Sequence, residues 1–238
     1  MTRNNWNFLW RKTLKRVRIM AQRLIVEGDN DMHALTNLCM KRGLKNPLGY
    51  EGGHKFNEFI KKGDGIEGAL KVLKASLDEI SLTNIGIVVD ADEIGAEGRW
   101  QSIRNVLAEK YSPETLDAAE AQTGPKYISE NGMPFIGIWV MPDNMNVGFL
   151  EHFLSHLIPA DQLVWSHAIS TVDDLYTKSF NILTAAKKAK AELHTWLAWQ
   201  EEPGKPFGIA LKAGYFDHQS PAADHFVDWF TQTFQFAA

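Results

Sequence analysis

Two rhythms alternate along this chain. Short unbroken apolar runs are separated by longer stretches in which apolar residues recur every three or four positions. Arg23 to Val26 is the first apolar run, ending at Glu27-Gly28. Asp29 or Asn30 is suited to cap a helix reaching about Arg42, with Gly43 just past its end. Leu48 to Tyr50 reads as a weak second strand, and His54 to Lys62 has helical spacing in Phe56, Phe59 and Ile60. A helix is expected from about Gly65 to Glu79, because Ile66, Leu70, Leu73 and Leu77 form one stripe. Leu82 to Asp90 is an apolar, β-branched run of the kind that fills a strand buried on both faces. Residues 96 to 111 return to helical spacing, and 112 to 132 read as a long irregular connection rich in Pro, Gly and small polar residues. Phe135 to Met141 is a further strand, stopped by Pro142-Asp143-Asn144, and a helix runs from Gly148 to about Leu157. Beyond Pro159 the pattern is helical, with helices expected at 173–183, 185–200 and 223–234 and breaks at Pro203, Pro206 and Gly208.

Strand and helix thus alternate over the first two thirds, which predicts a three-layer α/β/α, Rossmann-like fold with a mostly parallel sheet. The expected division is a basic extension over 1–20 outside the fold, an α/β domain over 21–160, and a helical region over 161–238 packed on the same domain. Met20 is read as the true initiator, because Met20-Ala21-Gln22 runs straight into the first strand.

Composition narrows the field. The chain has 238 residues, 45% hydrophobic and 23% charged, enough for one sizeable soluble core. Its single cysteine, Cys39, excludes an internal disulfide framework and fits a reducing, cytoplasmic setting. No apolar run approaches membrane-spanning length, so no membrane partner is expected. The first 19 residues carry six basic residues and no acid, which leaves −10 on the remainder against −4 for the whole. A body that acidic does not grip long duplex DNA through many phosphates.

Candidate chemistry lies at the strand ends. Asp90 and Asp92 are two positions apart, so an extended chain points both the same way. If the strands are parallel, Glu27, the Asp90/Asp92 pair, and Asp143 with Glu151 all come to one edge of the sheet. Converging carboxylates repel unless a proton or a hard divalent cation sits among them. Each element also has a bland reading. Asp29 and Asn30 are ordinary caps, and Asp143-Asn144 is ordinary turn chemistry. His152 and His156 share a helical face, but no Glu follows the first His as in zinc proteases. Trp196, Trp199, Trp229, Phe226 and Phe230 read as core or a subunit contact, which leaves room for a homo-oligomer.

The pattern Leu24-Ile25-Val26-Glu27-Gly28 followed by Ile87-Val88-Val89-Asp90-Ala91-Asp92 resembles the toprim domain of topoisomerases, primases and the overcoming-lysogenization-defect nucleases. More closely, the chain resembles a bacterial family of unknown function with a toprim-like core. The shared motifs are Val-Glu-Gly-x-x-Asp (to Asp31), Gly52-Gly53-His54-Lys55, Asp90 to Glu93, Pro142 to Asn144 with Gly148 to Glu151, and a late Lys212, Gly214, Tyr215, Asp217 set. The likeness covers most of residues 21 to 235. It implies Mg²⁺- or Mn²⁺-dependent phosphodiester chemistry of nuclease type on nucleic acid or a nucleotide. In that reading Glu27, Asp90 and Asp92 bind metal, with Glu93, Asp143 and Glu151 as further ligands. Glu27 and Asp31 serve as acid/base groups, and Lys55 and Lys212 are the candidate cations beside phosphate. Related nucleases often carry a separate ATPase domain, which leaves room for an ATPase partner encoded elsewhere. Two other readings compete: a non-catalytic metal-, nucleotide- or partner-binding module, and a nucleotide-sugar transferase using Asp-x-Asp.

Overall fold

The computed structural model describes residues 21–44 and 59–234. The basic extension, the expected strand at 48–50 and Lys55 lie outside the described residues. Five strands form one sheet: β1 (Ala21–Val26), β2 (Ile60–Lys62), β3 (Leu82–Asp90), β4 (Lys126–Ile128) and β5 (Phe135–Met141). Their order is β2-β1-β3-β5-β4. The first three pairings are parallel and only β4 runs antiparallel, against β5. The order reverses between β1 and β3, because β2 lies to one side of β1 and β5 beyond β3. Open α/β sheets bind ligands outside the carboxyl ends of their strands at such a switch point.

Successive residues of each strand face opposite layers. Leu24, Val26, Val88, Trp139 and Met141 join one buried cluster, while Ile25, Ile87, Val89, Ile138 and Val140 join the other. That is why β3 and β5 read as unbroken apolar runs. One face is covered by α1 (Asp29–Lys41), α5 (Leu150–Ser155) and the later helices, α6 (Leu163–Tyr176), α7 (Lys188–Ala198), α8 (Phe207–Ala213) and α9 (Pro221–Phe234). The other is covered by α2 (Ile66–Leu77), α3 (Gly95–Leu107) and α4 (Pro113–Glu120). The result is a three-layer α/β/α domain. Among the described residues no helix is long and apolar enough to cross a membrane.

The helical C-terminal region supplies one whole layer. Gly86 and Gly137 are register partners on β3 and β5. A Cβ on Gly137 would stand 2.0 Å from Thr233 Oγ1, and one on Gly86 2.6 Å from Phe234 Cζ. The absent side chains therefore let α9 lie directly on the sheet, where Asn84 Nδ2 also donates to the Thr233 carbonyl at 2.8 Å. Phe226, Trp229, Phe230 and Phe234 are buried there, each contributing about 1.5–3 kcal/mol by burial. Trp196 is likewise buried, whereas Trp199 is 42% exposed.

Four local expectations need correction. Of the helix expected over 54–62, residues 54–58 lie outside the described residues and Ile60–Lys62 is a strand. A short apolar run does not distinguish the two periods, and pairing with Leu24 to Val26 decides it. The connection at 112–132 holds α4 and β4. Ser112 caps α4, its Oγ accepting from Thr115 N, and Pro113 sits in the first turn. Helix α6 begins ten residues earlier than expected and ends at Tyr176 rather than Leu183. Finally, Pro206 and Gly208, expected as breaks between two helices, instead open a further one. Pro206 precedes α8, and Gly208 lets α8 press on α1, since a Cβ there would meet the His33 carbonyl oxygen at 2.8 Å.

Candidate functional site

The carboxyl ends of β1 and β3 flank the switch point. Glu27, one residue past β1, turns toward β3, where its Oε1 accepts the Asp90 N–H at 2.8 Å. Asp31, in the first turn of α1, reaches back so that its Oδ2 accepts the Gly28 N–H at 3.1 Å. Asp90 closes β3, and its Oδ1 accepts the Leu150 N–H at 3.0 Å. That contact aims the start of α5 at Asp90 and brings in Glu151, which is 7% exposed. Asp92 lies just beyond, in the left-handed region at φ 49°. It is pinned by reciprocal backbone bonds with Gly148, Asp92 N to Gly148 O at 2.8 Å and Gly148 N to Asp92 O at 3.3 Å. Gly148 has φ 142°, and a Cβ there would collide with His152 Nδ1 at 2.8 Å. A glycine is therefore required where the two loops meet.

Five carboxylates thus gather from four segments of chain. Burial, and then the charges of Asp31, Glu27, Asp92 and Glu151, push the Asp90 pKa up to about 9. Burial and the neighbouring Glu27 push Asp31 up to about 7. Glu27 is also raised, chiefly by burial, although the Asp90 N–H and the Arg99 charge oppose the shift. These are the signs of carboxylates forced together with too little positive charge.

Two cations reach the cluster, and neither was among the candidates. Arg99, on α3 and 5% exposed, donates from Nε to the Asp90 carbonyl at 2.7 Å and from Nη2 to Asp92 Oδ2 at 2.8 Å. Lys190, on α7, lies 3.4 Å from Glu151. Arg99 stands on the apolar stripe Arg99-Ile103-Leu107, and a charge at a core position is a signal the sequence does carry. Lys190 sits on an exposed helix face with nothing local to mark it.

The other candidates lie elsewhere. Glu93 is exposed beside Asp92. Asp143 is occupied by its own turn, accepting from Met145 N, Asn146 N and Asn146 Nδ2. Although burial would raise its pKa, the Asn146 and Met145 bonds hold it below the usual range. Lys212 is exposed on α8, and no hydrogen bond or ion pair joins it to the carboxylates. The rest of its motif is structural: Gly214 ends α8 at φ 85°, the Tyr215 hydroxyl accepts from Glu202 N, and Asp217 accepts from Gln219 N. His152 Nδ1 accepts the Phe149 N–H at 3.3 Å, so it serves as a cap of α5. Cys39 is buried in the core, and burial pushes its thiol pKa up, which leaves it inert.

All the gathered groups offer hard oxygen donors, the set that suits Mg²⁺ or Mn²⁺. Yet among the described residues no three His, Cys, Asp or Glu side chains stand in an arrangement that could hold a metal ion as they are. Glu27, Asp31 and Asp90 each accept a backbone N–H, and Asp92 faces Arg99. The donor chemistry fits a divalent cation, and side-chain rotation is needed to close on one.

No curated protein and no solved structure matches the chain. A family model matches residues 21–235, nearly the whole of it and every element described above. The chain therefore belongs to the family described as "Protein of unknown function (DUF3226)".

Proposed function

We propose that the carboxylate cluster binds a divalent cation and that the protein carries out toprim-like phosphodiester chemistry, hydrolysing nucleic acid or a nucleotide. The observation that carries this reading is Asp90. It stands at the end of a buried central strand, at the switch point, with its pKa pushed up to about 9 by burial and four other carboxylates. Such an arrangement works against folding, and a bound cation would turn it into an asset. The Glu-Gly and Asp-x-Asp motifs at these two strand ends support the toprim resemblance.

Glu27, Asp90 and Asp92 are the groups that would hold the ion, with Glu151 beside them. A bound Mg²⁺ supplies charge stabilisation at the oxygens flanking phosphorus and an activated water. The chain's own residues do the rest. Arg99 fixes the β3–α3 turn through the Asp90 carbonyl, and among the described residues it is a buried cation at the cluster that could meet phosphate oxygens. The Leu150 N–H holds Asp90 in place. Asp31, held beside Glu27 by the Gly28 N–H, is the group suited to carry a proton. Asp92 must leave Arg99 to join the others, which frees the guanidinium to meet an anion.

The test is direct. Single-stranded DNA, duplex DNA, RNA and nucleotides are offered with Mg²⁺ or Mn²⁺ to the wild type, Asp90→Asn and Glu27→Gln. Cleavage is expected in the wild type and absent in both variants, with all three folded. Equal cleavage by the three would remove the assignment. The closed Asp92–Arg99 pair favours one second reading, a metal-binding module without turnover. That reading predicts a cation-dependent rise in melting temperature and no cleavage of any substrate.

A further inference from the structure

Among the ion pairs of the described residues, Asp92–Arg99 alone has a buried cation. The Arg99 side chain is 7% exposed, against 17–58% for the basic partners of the others. Its carboxylate partner is half in water, at 50%. Two bonds hold the guanidinium: Nε donates to the Asp90 carbonyl at 2.7 Å and Nη2 to Asp92 Oδ2 at 2.8 Å. Nη1 donates to no described residue. A guanidinium carries five N–H groups in a planar fork, so this one has donors to spare at the acidic edge. Lys190 on Glu151 differs, because Lys190 is 51% exposed and water can take the place of its partner.

When Asp92 turns to a cation, the two ends of this contact fare differently. The Asp92 backbone is pinned by its bonds to Gly148, so the movement is a side-chain rotation. Arg99 stays where it is, because Nε still holds the Asp90 carbonyl. What remains is a buried guanidinium without its carboxylate, a costly state. A tetrahedral oxyanion repairs it, with two oxygens against Nη1 and Nη2 in the paired geometry that arginine offers to phosphate. Without a cation the same anion is kept out. Asp92 occupies Nη2, and the charges of Glu27 and Asp90 close by repel it.

We propose that Asp92 is a latch over an anion half-site on Arg99. The divalent cation draws the latch aside, so cation and phosphate bind with positive cooperativity, the cation first. This rests on the cation reading given above and adds the order in which the site assembles. Linkage makes the coupling reciprocal: the factor that phosphate adds to cation affinity, the cation adds to phosphate affinity. Direct attraction between a bound cation and phosphate would also couple them. The latch is therefore identified by what happens with no cation present, where removing the Asp92 charge should open the anion half-site by itself.

The experiment uses the full chain, stripped of metal. Binding of inorganic phosphate is measured by calorimetry at constant ionic strength for wild type, Asp92→Asn and the double variant Asp92→Asn/Arg99→Gln. Asparagine suits the Asp92 backbone, whose φ of 49° lies in the left-handed region, so the fold is kept. At millimolar phosphate the wild type should not bind, Asp92→Asn should bind, and the double variant should lose that binding. No gain in Asp92→Asn, or a gain that survives Arg99→Gln, overturns the latch. Mg²⁺ is then titrated into wild type and Arg99→Lys, with and without millimolar phosphate. Wild-type affinity for Mg²⁺ should rise about tenfold with phosphate, within the usual range for coupled sites. Arg99→Lys keeps the charge but not the fork and should show a smaller rise. Equal rises would overturn the role of the guanidinium. The two readings fail separately. Mg²⁺ bound equally with and without phosphate sinks the latch and leaves the cation site. Phosphate bound by metal-free Asp92→Asn, with no Mg²⁺ bound by the wild type under either condition, sinks the cation reading and leaves the latched anion half-site standing.

Discussion

Acidic side chains on two sides of this molecule meet opposite circumstances. On the outer layer formed by α2, α3 and α4, acids at the helix ends and turns meet basic partners in water. Lys74 pairs with Glu109 at 2.5 Å, Lys110 with Asp78 at 2.8 Å, and Arg104 with Asp117 at 2.6 Å and Glu120 at 2.8 Å. At the carboxyl edge of the sheet, Glu27, Asp31, Asp90 and Glu151 face one another, with Lys190 only at 3.4 Å from Glu151. The outer pairs are screened and exchangeable, and worth little to the fold. The edge cluster concentrates like charge at low dielectric and holds the native state back. Charge kept where it weakens the fold needs a reason outside stability, and an ion or substrate charge supplies one.

The largest expected effect comes from removing the carboxylate that meets all the others. Asp90→Asn should reduce divalent-dependent cleavage by at least about a thousandfold, on the scale of losing a metal ligand or charge-stabilising group. The same change should stabilise the ion-free protein by at least about 1–2 kcal/mol at pH 8, because Asp90 must take up a proton on folding and an amide need not, while the amide oxygen still accepts the Leu150 N–H. Paired kinetics and melting would show activity and stability moving in opposite directions. A drop in both would erase the contrast between the two sides.

Next comes pH. Asp90 and Asp31 have folded pKa values raised to about 9 and about 7 from an ordinary 3.8. Between those limits the folded chain holds protons that the unfolded chain has released, so stability falls as pH rises. The loss should begin near pH 4, run through neutrality and level off above about 9. Since a cation needs the ionised carboxylates, saturating Mg²⁺ or Mn²⁺ should oppose that slope and raise the melting temperature most at high pH. Thermal melts from pH 5 to 9, with EDTA and with metal, measure both. A metal-free protein that gains stability across that window would contradict the shared charge of the cluster.

The same contrast explains what the sequence made legible. Strands β3 and β5 stood out because both faces are buried, leaving an apolar run that stops where the chain meets the ligand edge. Glu27, Asp90 and Asp92 stood out because carboxylates ending such runs are hard to explain as packing. Glu151 follows from its place just behind Asp143 at the end of the last strand, whereas Asp31 rests on a resemblance in motif, since a first-turn acid is also an ordinary helix feature. β4 is hidden because three residues on an edge carry almost no period, whereas α4 is announced by Ser112-Pro113 but lies within a stretch rich in small polar residues. Arg99 was legible in principle, as a charge on the stripe that also carries Ile103 and Leu107.

Arg99 links the two circumstances, being a buried cation at the acidic edge. Arg99→Gln keeps much of the side-chain bulk but leaves Asp92 without its charge partner. The expected loss is about 2 kcal/mol in the absence of metal, within the range for breaking a charged hydrogen bond. For a chain of this size that is a fall of roughly 4–8 °C. With saturating Mg²⁺ the loss should shrink, because Asp92 no longer depends on the guanidinium. Equal losses with and without metal would mean that the Asp92–Arg99 pair is purely structural.

The smallest effect belongs to the outer layer. Lys74 and Glu109 touch at 2.5 Å but are 58% and 50% exposed, joining α2 to the turn after α3. Solvent screens the pair, and ordering two long side chains offsets much of the attraction. Lys74→Ala and Glu109→Ala should therefore each change stability by less than ~0.5 kcal/mol, and a double-mutant cycle should return a similarly small coupling that fades with added salt. Metal should leave that coupling unchanged, since neither residue approaches the carboxyl edge. The cycle run with and without Mg²⁺ thus gives the baseline for Asp90 and Arg99. If the outer pair also responded to metal, the shifts at the edge would report a general effect of ionic strength rather than a cation bound among the carboxylates.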